Sequence, residues 1–218
     1  MSEAAGMRRL GREALLRESL SVLAENSQAS MLEIARAIGV GRTTLYRHFG
    51  DREALVAEVA RLGARMFGAA VMDARPDVGS GLEAVERVCE RLFTVPEVLT
   101  LMFADEPIIT DDVFAEVGRE SRAEPAGAES AEGAPAEGGP AERGGDDVLE
   151  RIIARGQSDG SITNEVPLTW AAMYVFLTIG SGHLFGVVGE GSDSDPRRHG
   201  LELTLRAVRR TLAAEADD

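Results

Sequence analysis

Ser30-Met31-Leu32-Glu33 opens the stretch that most constrains what this chain can fold into. A Ser three residues ahead of a Glu makes a capping box: the Ser hydroxyl accepts from the Glu33 amide and the Glu carboxylate returns to the Ser30 amide, which fixes a helix start to within a residue. Ile38-Gly39-Val40 ends that helix, with Gly39 allowing the left-handed turn that other residues resist. A second helix is expected from about Arg42 to Phe49, with Gly41 as a tolerable N-cap and Gly50 as a left-handed stop. Ala35 falls where the two helices cross, a point that a larger side chain would force open, while Ile34, Ile38, Val40 and Leu45 fill the wedge between them. Two short helices held at a steep angle in this way form a helix-turn-helix, whose second helix can enter a DNA major groove with its N-terminal residues toward base edges. The same geometry also serves as an αα-corner that binds nothing.

Helical patterning continues on both sides. Residues 8–25 carry Leu16, Leu20 and Leu23 at i, i+4 and i+7, and Asp51 caps a helix expected over 51–73 with Leu55, Val59, Leu62 and Met66 on one face. Further helices are expected over Leu82–Phe93, from Pro96, over Asp111–Arg119 and Asp146–Gln157, and then over 167–188 and 196–213. No alternating strand pattern appears. The fold class is therefore all-α: an N-terminal three-helix helix-turn-helix domain over 1–55 and a C-terminal helical domain over 56–218, with helix 51–73 linking them. Residues 123–145 hold seven Ala, six Gly, five Glu and three Pro with no side chain that could anchor a core, so disorder is expected there.

A net charge of −14 looks wrong for a nucleic-acid partner until its distribution is considered. Residues 1–65 carry ten Arg against eight carboxylates, and the remaining residues carry thirteen against twenty-nine. The result is a mildly basic head on an acidic body. One cysteine, Cys89, excludes an intrachain disulfide, and the first residues lack the apolar run of a secretory signal, which points to the cytoplasm. Leu168–Val188 has no Asp, Glu, Lys or Arg over 21 residues. Its His183, its central Gly, Ser and Thr residues and the missing basic flank favour a buried helix shared between subunits over a membrane span.

Residues 30–55, SMLEIARAIGVGRTTLYRHFGDREAL, closely resemble the DNA-binding signature of the TetR family of bacterial regulators, and the run Gly41 to Phe49 resembles its recognition helix. Gly41 stands where that family often has Ser, and the 123–145 insert is longer than its usual connections. The resemblance implies a homodimer on a double-stranded DNA operator, joined through helices 167–188 and 196–213, with an effector bound in the body. It also implies roles for single residues. Arg42 and Thr43, in the first turn of the recognition helix, can reach bases, and Thr44 can do the same or bond back to its own helix. Tyr46 and His48 lie where family members grip phosphates; their plainer readings are a half-buried core aromatic and a solvated surface residue. Arg47 faces phosphate or solvent. Arg52 would add charge at the start of the fourth helix, where amides already favour anions, and Ser30 is placed on the DNA side with them.

In the body, Met66, Phe67, Met102, Phe103, Trp170 and Tyr174 are candidates for an effector pocket, or else ordinary core. His183 is a packing histidine or an effector contact, and Cys89 is core or a thiol sensor. The three His (His48, His183, His199) form no HxxxH pair, and no Cys cluster, Walker loop or nucleophile elbow occurs, so no catalysis, metal or cofactor is expected. The reading is a repressor released from a pseudo-palindromic operator by a small, partly hydrophobic effector, with helix 51–73 as the lever. Its alternative is a DNA-binding regulator whose body binds a partner protein.

Overall fold

The computed structural model describes residues 11–123, 146–188 and 195–214. Three short helices form the head: α1 (Arg12–Glu25), α2 (Met31–Ala37) and α3 (Arg42–Phe49). The long α4 (Arg52–Asp73) leads from it to α5 (Gly81–Leu92), α6 (Pro96–Phe103), α7 (Asp111–Ala123), α8 (Asp146–Asp159), α9 (Leu168–Val188) and α10 (Pro196–Leu212). Among the described residues there is no strand, only an isolated bridge between Ile162 and Ala213 that ties the loop after α8 to the end of α10. α7 runs four residues past its expected end at Arg119. Residues 8–10 of the expected first helix, and the expected disorder from residue 124 to 145, fall outside the described residues.

Local chemistry explains where these helices begin. The Ser30 capping box closes as expected, with the Ser30 amide donating to the Glu33 carboxylate at 2.8 Å and the Glu33 amide donating to the Ser30 hydroxyl at 3.3 Å. The Ser30 amide and then the Ser30 hydroxyl, both donating to it, hold the Glu33 carboxyl below the usual carboxylate range. Asp51 caps α4 by accepting from the Ala54 amide. A second box at Ser80 and Glu83 starts α5, where Asp159 and Ser161 take the next two amides, those of Gly81 and Leu82. Four successive orphan donors are thereby satisfied, two of them from the far side of the body.

α4 is the structural spine. Its 22 residues extend about 33 Å at the ordinary helical rise, with Leu55 and Val59 buried near the head and Phe67, Ala70 and Val71 buried in the body. Arg87 locks its far end by donating to the carbonyls of Ala74, Arg75 and Val78. Along its length Arg61 donates to Glu116 of α7 at 3.0 Å. The head also meets the body without passing through α4, because α1 packs on α6 and Gln28 donates to Glu106 at 2.7 Å. Ile109, on the loop after α6, fills the space that a side chain on Gly63 would need.

α9 and α10 pack against each other at unusually close range. A Cβ on Gly200 would overlap the Gly182 carbonyl, and one on Gly182 would overlap the Thr204 hydroxyl. α9 is long and apolar enough to cross a membrane by length and composition, with 39% of that window buried against the rest of the chain. His183 is buried on its inner side with Nε2 2.9 Å from the Thr100 hydroxyl, and burial together with the charge of Arg197 lowers its pKa, so it packs as a neutral ring. Cys89 is fully buried, and burial pushes its thiol up to about 12, which makes it core.

Candidate nucleic-acid interface

α3 has two unlike sides because its apolar residues are four apart. Leu45 and Phe49 are buried and seat the helix on α2, beside Ile34, Ala35 and Ile38. Between the two helices Gly39 takes a φ of 73°, and the Val40 amide closes the turn on the Ala35 carbonyl at 2.9 Å. Arg42, Thr43, Tyr46 and Arg47 are left exposed together, with Thr44 and His48 half-buried at the margins. Tyr46 is 37% exposed and so lies partly buried at the surface of the head. Its hydroxyl accepts from Arg42 Nη2 at 3.1 Å, and the guanidinium lies 5.0 Å from the centre of its ring. His48 tilts against Phe49 at 6.2 Å. On the head's flank Arg12 sits over Phe49 and pairs with Glu58 at 3.2 Å, a brace that sequence spacing alone does not disclose.

Two residues expected on the DNA side are otherwise engaged. Ser30 directs its hydroxyl to the Glu33 carboxylate at 2.7 Å, so its role in the free protein is the cap itself. Arg52 turns back toward the head, donating from Nε to the Ala29 carbonyl at 2.9 Å and from Nη2 to the Ser27 carbonyl at 2.6 Å. It therefore holds the turn that presents α2, where a phosphate contact was expected. Arg52→Ala should lower the stability of the protein by about 1–3 kcal/mol, since bonds from a charged donor to half-buried carbonyls are lost. Urea unfolding measures this, and an unchanged midpoint would mean that the turn stands without the clamp.

The six effector candidates fall into three groups. Phe67 of α4 is buried edge-on against Phe114 of α7 at 5.3 Å, with Met66 half-buried beside it in sequence. Met102 and Phe103 lie half-buried on α6, and Phe103 covers Gly180 and tilts against Phe176 of α9 at 5.0 Å. Trp170 stacks on Tyr174 at 5.2 Å and is itself exposed, while the Tyr174 hydroxyl bonds the Ala207 carbonyl and Thr211 of α10. A cleft of about 720 Å³ opens elsewhere, at the α4–α5 corner, among Met72, Arg75, Arg87, Glu90 and Arg91, and none of the six lines it. Among the described residues no group of three or more His, Cys, Asp or Glu could hold a metal ion.

Comparison with known proteins follows the same outline. Residues 15–59 match the sequence profile described as bacterial regulatory proteins, tetR family. The chain is 30% identical over 122 residues to the HTH-type transcriptional repressor LfrR of Mycolicibacterium smegmatis, a match covering 55% of this chain and 65% of that protein, less than two thirds of its length. Its fold is similar to the crystal structure of the TetR-like regulator LfrR from Mycobacterium smegmatis in complex with proflavine, at a TM-score of 0.61 and 20% identity over 90% of this chain and 93% of that one. It is also similar to AibR in complex with isovaleryl coenzyme A and operator DNA, at a TM-score of 0.65 and 14% identity over 94% and 99%. These relatives are transcriptional regulators and not enzymes.

Proposed function

We propose that this chain, which matches the tetR family of bacterial regulatory proteins over residues 15–59 and is similar in fold to its members, acts in the cytoplasm as a homodimeric repressor that reads a pseudo-palindromic operator and is released by a small, partly hydrophobic effector. The observation that carries the reading is the solvent-facing side of α3, where two arginines, two threonines and a tyrosine gather on a helix whose opposite side is locked into the head. That arrangement suits a major groove, which presents base-edge acceptors to guanidinium and hydroxyl groups and phosphates at its rims. An all-Arg basic complement helps, because guanidinium reaches guanine or phosphate in a planar, two-pronged contact that an ammonium cannot make.

Dimerisation finds its support on α9. Trp170, Met173, Leu177, Leu184 and Val188 recur along one exposed side of that helix, a stripe of large apolar residues that a second copy would cover. Two heads held by such an interface meet successive major grooves about one helical turn apart. The ligands named with LfrR and AibR, one a flat aromatic and the other an acyl thioester, support a small effector here. Its binding would favour a head spacing that no longer matches the grooves, by no more than its differential affinity for the two states.

Selection of bound fragments from random duplex DNA tests the reading. The expected product is an inverted repeat, and Arg42→Ala should cost about 1–3 kcal/mol while relaxing one base position in each half-site. Enrichment of no sequence, or of unrelated sequences, would reject an operator-reading function.

A further inference from the structure

The Arg42 guanidinium meets Tyr46 in two ways, through the hydrogen bond from Nη2 to the phenol oxygen and through the face of the ring. Residues four apart share one face of a helix, and the backward lean of helical side chains brings such pairs together, here on an exposed face. A free arginine there would sample many rotamers and lose that freedom on meeting a base. The tyrosine imposes much of the restriction before DNA arrives.

Their donors divide cleanly. A guanidinium has five N–H groups, and with one committed to Tyr46 the rest suffice for a two-pronged contact to guanine O6 and N7. The phenol oxygen is the acceptor in the pair, so its own hydrogen stays available for a phosphate oxygen. One side chain can thus be anchored to the backbone of a duplex while steering the other to a base.

We propose that Tyr46 is a positioning residue for base recognition: it aims Arg42, and the two work as one unit that reads a guanine in each half-site. This rests on the operator-reading function above and deepens it. A tyrosine that only gripped phosphate would weaken every sequence by one common factor. A tyrosine that aims Arg42 sets the preference for guanine as well.

The test uses the full-length wild type, Tyr46→Phe, Arg42→Ala and the double variant. Each is titrated against the duplex that the wild type selects and against the same duplex with the guanine pair replaced. Both side chains are exposed, so the replacements leave the core intact. Tyr46→Phe should reduce discrimination for guanine by roughly threefold to tenfold, the worth of one net hydrogen bond. The double variant should lose less than the product of the two single losses, because both remove the same contact. Tyr46→Phe that weakens both duplexes equally, with losses that multiply in the double variant, overturns the proposal. So does a selected site without a guanine whose preference Arg42→Ala relaxes. A wild type that selects no sequence at all overturns the operator-reading function too, which those two results do not.

Discussion

Met173→Glu combined with Leu177→Glu should convert the protein to a folded monomer and lower operator affinity by about 10²–10⁴-fold, the gain that two linked binding events give over one. The two residues are 55% and 56% exposed in the single chain and lie one helical turn apart at the middle of the apolar stripe of α9. In an isolated subunit the new carboxylates would face water and disturb little. In a dimer they would be buried without partners, which costs far more than the apolar contact they replace. Sedimentation gives the mass, circular dichroism the helix content, and titration of the selected duplex the affinity. A dimer of unchanged mass would move the interface off α9.

Gly200→Val should destabilise the protein by about 3 kcal/mol or more, the upper end of what overpacking costs. The added atoms fall on the Gly182 carbonyl, which is backbone and has no rotamer to change. Only separation of α9 from α10 would relieve the clash, and that would break the Thr204 hydrogen bond to the Thr178 carbonyl and uncover Val208 and Leu212. Gly68→Ala on α4 is the counterpart. Nothing lies within 4 Å of its added carbon, so better helix propensity should raise stability by up to about 1 kcal/mol. Urea midpoints for both variants, with wild type alongside, decide whether close approach or helix propensity rules at each glycine. Wild-type stability in Gly200→Val would mean that the crossing has slack.

What the sequence made legible was local. Ser30, Gly39 and Asp51 act on their own neighbours, and each behaves in the structure as its type and spacing require. The exposed face of α3 was readable for the same reason, since Leu45 and Phe49 leave only one side to the solvent. Ser80-x-x-Glu83 carries the same signature as Ser30-x-x-Glu33, yet an expected start at Leu82 passed over it; the box shows that the helix begins at Gly81. Arg52 was beyond such reasoning, because its acceptors lie 23 and 25 residues upstream and reach it only when α4 packs under the head. On α9 the difficulty was different. A helix apolar on all sides has no period to assign its faces, so nothing in the sequence turns Tyr174 toward α10 and not toward a pocket.

The joints between head and body bear on how any signal could travel. Gln28 on Glu106 ties the head to the loop after α6, while Ile109 against Gly63 and Arg61 on Glu116 brace α4 against the body. A strut braced at one end only can swing; one braced along its length carries the whole frame with it. In the proposed dimer such bracing would let each subunit turn as one piece, with the distance between the two heads set by the angle at which the pieces meet across α9 and α10. A small rotation at that seam, multiplied by the length of α4, would change the spacing of the two α3 helices.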